Sequence, residues 1–195
     1  MMHFLKKLMM FFKSRETLVM EDLSNLKSVA EHSISLLKTY IEAITDVDAN
    51  LVGTEKDVSY MLYNYERNLK IWEETLALAR GRDGRTIDIV SSKLQEAKVK
   101  VDFYTGRLDK VVSIRRKLTK YTVDVQEYIS EISSSIDKIR ADIYKVKTSD
   151  GYRDVCNRIS DLRQYVYLDK VFEGDFQELI SLSQEITGRQ TSLKE

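Results

Sequence analysis

The stretch Leu76-Ala77-Leu78-Ala79-Arg80-Gly81-Arg82-Asp83-Gly84-Arg85-Thr86-Ile87 decides how this chain folds. Two glycines sit among three charged residues in Gly81-Arg82-Asp83-Gly84-Arg85, with apolar residues at helical spacing on either side. Glycine ends helices most readily, and in a chain with seven glycines and no proline this cluster is the strongest turn signal. It predicts the tip of a hairpin at residues 81–85.

On the N-terminal side, Leu23, Leu26, Ala30, Ser33, Leu37, Tyr40, Ile44, Val47 and Leu51 alternate steps of three and four, with Ser33 the only polar break. The seam continues through Val58, Met61, Tyr65, Leu69, Trp72, Leu76 and Ala79, slipping once to two steps of four, a stutter that locally unwinds a coiled coil. Past the tip a second seam runs Ile87, Val90, Leu94, Ala97, Val101, Tyr104, Leu108, Val111, Arg115, Leu118, Thr122, Val125, Ile129, Ile132, Ile136, Ile139, Ile143 and Val146. Arg115 and Thr122 are out of character there. A seven-residue repeat held this long imposes supercoiling against a partner helix, and the nearest partner is the preceding arm. An arm of roughly sixty residues makes a rod of about 90 Å at 1.5 Å per residue.

The predicted fold class is therefore all-α: an elongated antiparallel coiled-coil hairpin over 16–149, an N-terminal amphipathic helix over 1–15, and short C-terminal helices over 150–195. Thr148-Ser149-Asp150-Gly151 is expected to stop the second arm. A stripe of Tyr152, Val155, Ile159, Leu162 and Val166 marks one further helix, and Glu173-Gly174-Asp175 is expected to separate it from a last one carrying Phe176, Leu179, Ile180 and Ile186. Helices this short need a surface to dock on.

Formal net charge is zero, which argues against a bulk nucleic-acid binder. The neutrality is a sum of blocks: residues 1–15 hold four basic and no acidic residues, 16–80 six and twelve, 81–149 fifteen and ten, and the remainder six and nine. Opposite charge on the two arms favours pairing them with each other or with neighbouring copies. The basic run Arg107, Lys110, Arg115, Arg116, Lys117 and Lys120 has the ordinary reading of a solvated helix face; among active roles an acidic arm of a neighbouring copy ranks first, a membrane next and nucleic acid last.

Placed on a helix, residues 1–14 gather Phe4, Leu5, Leu8, Phe11, Phe12 and three methionines on one half, opposite Lys6, Lys7, Lys13, His3 and Ser14, with Met10 the only apolar residue on that side. Large apolar side chains facing lysines, with no acidic residue, suit the surface of an anionic bilayer. Amphipathicity alone equally fits packing against the hairpin; the lysine bias favours the membrane. The apolar stretch is too short to span a bilayer.

No catalytic constellation is legible. His3 and His32 lack partners at metal-ligand spacing, and Gly81–Arg85 lacks the lysine and hydroxyl residue of a phosphate loop. With one cysteine, Cys156, no intramolecular disulfide can form. The expectation is a non-enzyme without cofactor or metal.

Particular residues carry a likeness to a known family. Glu21-Asp22-Leu23 with Leu26-Lys27, Trp72-Glu73-Glu74 followed by Ala77-Leu78-Ala79-Arg80-Gly81-Arg82-Asp83, and Asp175-Phe176-Gln177-Glu178-Leu179 resemble, in this order, motifs of the phage shock protein A family, which includes the vesicle-inducing protein of plastids and is related to ESCRT-III. Ser14-Arg15-Glu16-Thr17 stands where that family commonly has an acidic-plus-proline junction. The resemblance implies a homo-oligomer that polymerises into rods or rings, binds anionic lipids through its N-terminal helix and remodels bilayers from the cytoplasmic face. It also implies that Phe176, Leu179 and Ile180 dock near Trp72 and Leu76 of another copy, and that Lys27 makes intersubunit ion pairs. A second reading, also drawn from that family, is a soluble coiled-coil regulator that sequesters a protein partner such as an AAA+ transcriptional activator.

Overall fold

The computed structural model describes the backbone of residues 2–79, 81 and 84–191 and the side chains of 14–79, 81 and 84–188. Four helices occur in order: α1 (Met2–Ala79), α2 (Gly84–Ile143), α3 (Ser149–Val166) and α4 (Asp169–Thr191). No strand is present among the described residues. The fold is an all-α hairpin of α1 and α2 with two shorter helices following it.

The chain divides into two compact units, one of Met1–Ala43 with Lys120–Gln177, the other of Ile44–Thr119 with Glu178–Glu195. In the second unit the antiparallel sense is directly visible. Arg115 of α2 reaches Asp48 and Glu55 of α1, while Tyr104, earlier in α2, stacks on Tyr65, later in α1. Its core is built from Ile44, Leu51 and Val58 of α1, Val111, Ile114 and Leu118 of α2, and Leu179 and Ile186 of α4, all buried.

The first unit is three helices deep. Leu23, Leu26, Ala30 and Leu37 of α1, Val125, Ile132, Ile136 and Ile139 of α2, and Val155, Ile159 and Leu162 of α3 are buried together. Each large aliphatic side chain removed from water contributes about 1.5–3 kcal/mol. The third layer runs antiparallel to α2: Arg158 bonds Asp142, Tyr165 bonds Glu131, and Tyr121 bonds the Phe172 carbonyl. It therefore runs parallel to α1, with Arg15 on Ser149, Asp22 on Arg163 and Ser33 on Asp169.

Three boundaries differ from the sequence reading. No proline or glycine interrupts residues 1–52, so residues 2–15 are the first turns of α1 and not a separate helix. The second arm ends at Ile143 rather than at Thr148–Gly151. Thr148 is instead the N-cap of α3, extended in backbone, with its side chain accepting from the Gly151 N–H at 3.2 Å. The break between the last two helices falls at Tyr167-Leu168 rather than at Glu173–Asp175, and α4 passes through Gly174. The Tyr128 hydroxyl donates toward the Tyr165 and Val166 carbonyls at 2.9 and 3.0 Å, satisfying acceptors freed at the end of α3.

Candidate assembly and membrane surfaces

Two of the three polar intruders in the seams, Ser33 and Arg115, bond across to another helix. Ser33 is 2% exposed and donates to Asp169 Oδ2 at 2.7 Å, fixing the first residue of α4 against α1. Arg115 is half-buried, with Nε 2.8 Å from Asp48 Oδ1 and Nη1 2.5 Å from Glu55 Oε2. The two carboxylates hold its guanidinium well above the ordinary arginine range. Arg115, one of the basic run, is thus paired within its own chain. Arg107 likewise donates to the Ile186 carbonyl at 3.2 Å.

The first unit holds an aromatic cluster. Phe176 stacks on Tyr40 with centroids 4.3 Å apart, and Phe172 lies edge-on to Tyr121 and tilted against Tyr128. Burial, with nearby Asp175 for one and Asp169 for the other, pushes the Tyr121 and Tyr128 hydroxyls well above the usual tyrosine value. Tyr165, hydrogen-bonded to Glu131 and part-buried, is pushed up to about 12. An open surface groove of about 610 Å³ lies between α2 and α3, lined by Ser130, Ser134, Ser135, Lys138 and Asp161 among others. Its Arg158 is bonded to Asp142 and its Tyr165 to Glu131.

At the predicted hairpin tip, α1 ends at Ala79, the Gly81 N–H donates to the Ala79 carbonyl at 2.7 Å, and α2 begins at Gly84. Gly84 and Arg85 belong to the first turn of α2, and Arg82 and Asp83 lie outside the described residues. The side chains of Phe4, Leu5, Lys6, Lys7, Leu8, Phe11, Phe12 and Lys13 also lie outside the described residues.

Residues expected at a copy-to-copy interface fall into two groups. Phe176 is half-buried and stacks on Tyr40 of its own chain, Leu179 is buried and Ile180 is half-buried. Trp72 and Leu76 are half-buried and Lys27 is exposed, 3.4 Å from Glu31 one turn on. Sequence reasoning missed a third apolar column on α2. Ile114, Tyr121 and Tyr128, seven residues apart, are all buried although they lie off the predicted seam. That spacing was the available signal.

Toward the tip of the second unit the burial pattern changes. Up to Val58 on α1, and from Val111 on α2, the seam is repeatedly closed by fully buried side chains. Between those levels and the tip only Ala79, Val90 and Ala97 are buried, while Leu69, Trp72, Leu76, Leu94, Val101 and Tyr104 are half-buried.

Among the described residues, no three His, Cys, Asp or Glu are grouped to hold a metal, no helix is long and apolar enough to cross a membrane, and no buried side-chain polar atom lacks a partner. No protein-family model matches the sequence, and no curated protein is significantly similar to it.

Proposed function

We propose that this chain is a self-assembling peripheral membrane scaffold that binds anionic bilayers from the cytoplasmic face and bends or repairs them. The observation carrying this reading is the N-terminal segment. Residues 1–14 place phenylalanines, leucines and methionines opposite three lysines with no acidic residue, and α1 continues from Met2 to Ala79 without interruption. A helix that lies in the headgroup region is held there by apolar burial and by roughly 1 kcal/mol per lysine near an anionic surface. Because that segment and the first hairpin arm are one helix, seating it on lipid orients the arm as well. The likeness of the Glu21–Lys27, Trp72–Asp83 and Asp175–Leu179 stretches to the phage shock protein A family supports the same reading. Docking of α4 on a neighbouring copy would first require release of Phe176 from Tyr40.

The test is flotation of the full chain with vesicles rich in anionic lipid, beside a variant lacking residues 1–14. The full chain floats with the vesicles, less so at high salt, and the truncated chain stays behind while remaining helical. Equal flotation of the two would remove the N-terminal anchor from the account.

A further inference from the structure

In the first unit, α2 gives way to α3 through Tyr144-Lys145-Val146-Lys147-Thr148. The connection is tightly tied. The Lys145 and Val146 N–H groups donate to the Asp142 carbonyl at 2.9 and 3.1 Å, Thr148 caps α3, and Val146 lies over Gly151, where an added Cβ would come within 2.9 Å of its Cγ1. Tyr144, Lys145 and Lys147 are left exposed, Tyr144 by 63%. The charge here is one-sided. Residues 138–149 carry Lys138, Arg140, Lys145 and Lys147 against Asp142 alone. The Asp142 carboxylate already accepts from Arg158 of α3 at 2.7 Å, and Lys145, 3.9 Å from it, keeps its side chain 77% exposed. Residues 150–158 of α3 are balanced, with two acidic and two basic residues.

This basic end adjoins the N-terminal stretch. Arg15 donates to Ser149 Oγ at 2.7 Å, so α3 starts beside Arg15 while α1 runs on to Met2. Val19, Leu23, Leu26 and Ala30 of α1 are buried in this unit, and from Val19 the apolar spacing continues backward through Phe12, Leu8 and Leu5 by steps of seven, four and three. On one unbroken helix such steps keep to one side. A bilayer taken up by that side therefore lies on the flank of α1 that carries the α2–α3 connection. We propose that residues 144–148 form a second contact with the anionic bilayer, Lys145 and Lys147 meeting headgroup phosphates and Tyr144 seated at the headgroup level. Lysines are drawn to an anionic surface, and tyrosine, with an apolar ring and a polar tip, favours that depth. The inference rests on the membrane-binding part of the proposed function and adds a surface that the N-terminal segment does not supply.

The experiment is titration of the full chain with vesicles of phosphatidylglycerol and phosphatidylcholine, in two arms. In the first, a Lys145→Gln, Lys147→Gln chain keeps its helical circular dichroism, because both side chains are exposed. It binds the vesicles roughly 10- to 30-fold more weakly, the loss expected for two lysines at an anionic surface. The Lys145→Arg, Lys147→Arg chain, which keeps the charge, binds as the wild type does. In the second arm, Trp72→Phe removes the single tryptophan and Tyr144→Trp places one in the connection. Its emission shifts to the blue on vesicle binding and is quenched when the lipids carry brominated acyl chains. Wild-type binding left undiminished by the glutamine changes overturns the proposal and leaves the N-terminal anchor in place. Weakened binding with an unquenched tryptophan overturns it as well, since the lysines would then act only at long range. A wild-type chain that binds no vesicles sinks the membrane reading and this surface together.

Discussion

At Arg115 a cation sits where the α2 seam calls for an aliphatic side chain, and Asp48 and Glu55 on α1 answer it. Removing the cation leaves two part-buried carboxylates facing each other with nothing between them. Arg115→Leu should therefore lower unfolding stability by about 1–2 kcal/mol, a figure kept small because all three groups retain about a third of their exposure. Adding Asp48→Asn to that change should cost less than the two separate losses combined, and denaturant titration of the four chains of the cycle measures this directly. Arg115→Lys keeps the charge but not the forked geometry and should fall between.

The tyrosines set a pH limit of a defined sign. Tyr121, Tyr128 and Tyr165 all hold their protons more tightly when folded than the ordinary value of 10.0. A raised folded value contributes stability that is complete below about pH 10 and is lost as pH climbs toward and past the folded values, because the unfolded chain ionises first. Tyrosinate absorbance and helical circular dichroism, followed together on an alkaline titration, should change in concert above pH 10. Full ionisation of every tyrosine near pH 10 with helix intact would contradict the packing of Tyr121 and Tyr128.

Among the helices, two glycines make opposite predictions. A Cβ added at Gly53 of α1 meets nothing within 4 Å, and the position is an exposed helix interior. Gly53→Ala should raise stability by about 0.5–1 kcal/mol. A Cβ at Gly151 in the first turn of α3 comes 2.9 Å from Val146 Cγ1 and 3.2 Å from Thr148 Oγ1. Gly151→Ala should lower the thermal midpoint despite alanine's better helix propensity, since the turn carrying the N-cap must shift. Thermal melts of the two variants check both signs. The elements themselves were legible wherever one period governed them: Leu23, Leu26, Ala30, Leu37, Ile44 and Leu51 are buried as the three-four spacing predicts, and the α3 stripe from Tyr152 to Val166 is buried at every position. The turn at Gly81 was legible from its glycines. The α3–α4 break was not, because Tyr167-Leu168 carries no helix-breaking residue and the interruption rests on tertiary bonds from Tyr128 and Ser33. Gly174 misled for the converse reason: its outward side is open, so α4 continues through it.

For the whole molecule, the seams specify an antiparallel pair, but a two-helix heptad reading has no place for a third helix. Tyr121 and Tyr128 are buried where the start of α4 and the end of α3 lie over that flank of α2. Within the chain, Phe176 stacks on Tyr40 and Leu179 is buried. Electron microscopy of the full-length protein with and without anionic vesicles, at low and at physiological salt, tests the scaffold account most directly. Ordered rods, rings or coats accompanied by tubulated or constricted vesicles are the predicted result; small discrete particles beside unaltered vesicles under both salt conditions would contradict it.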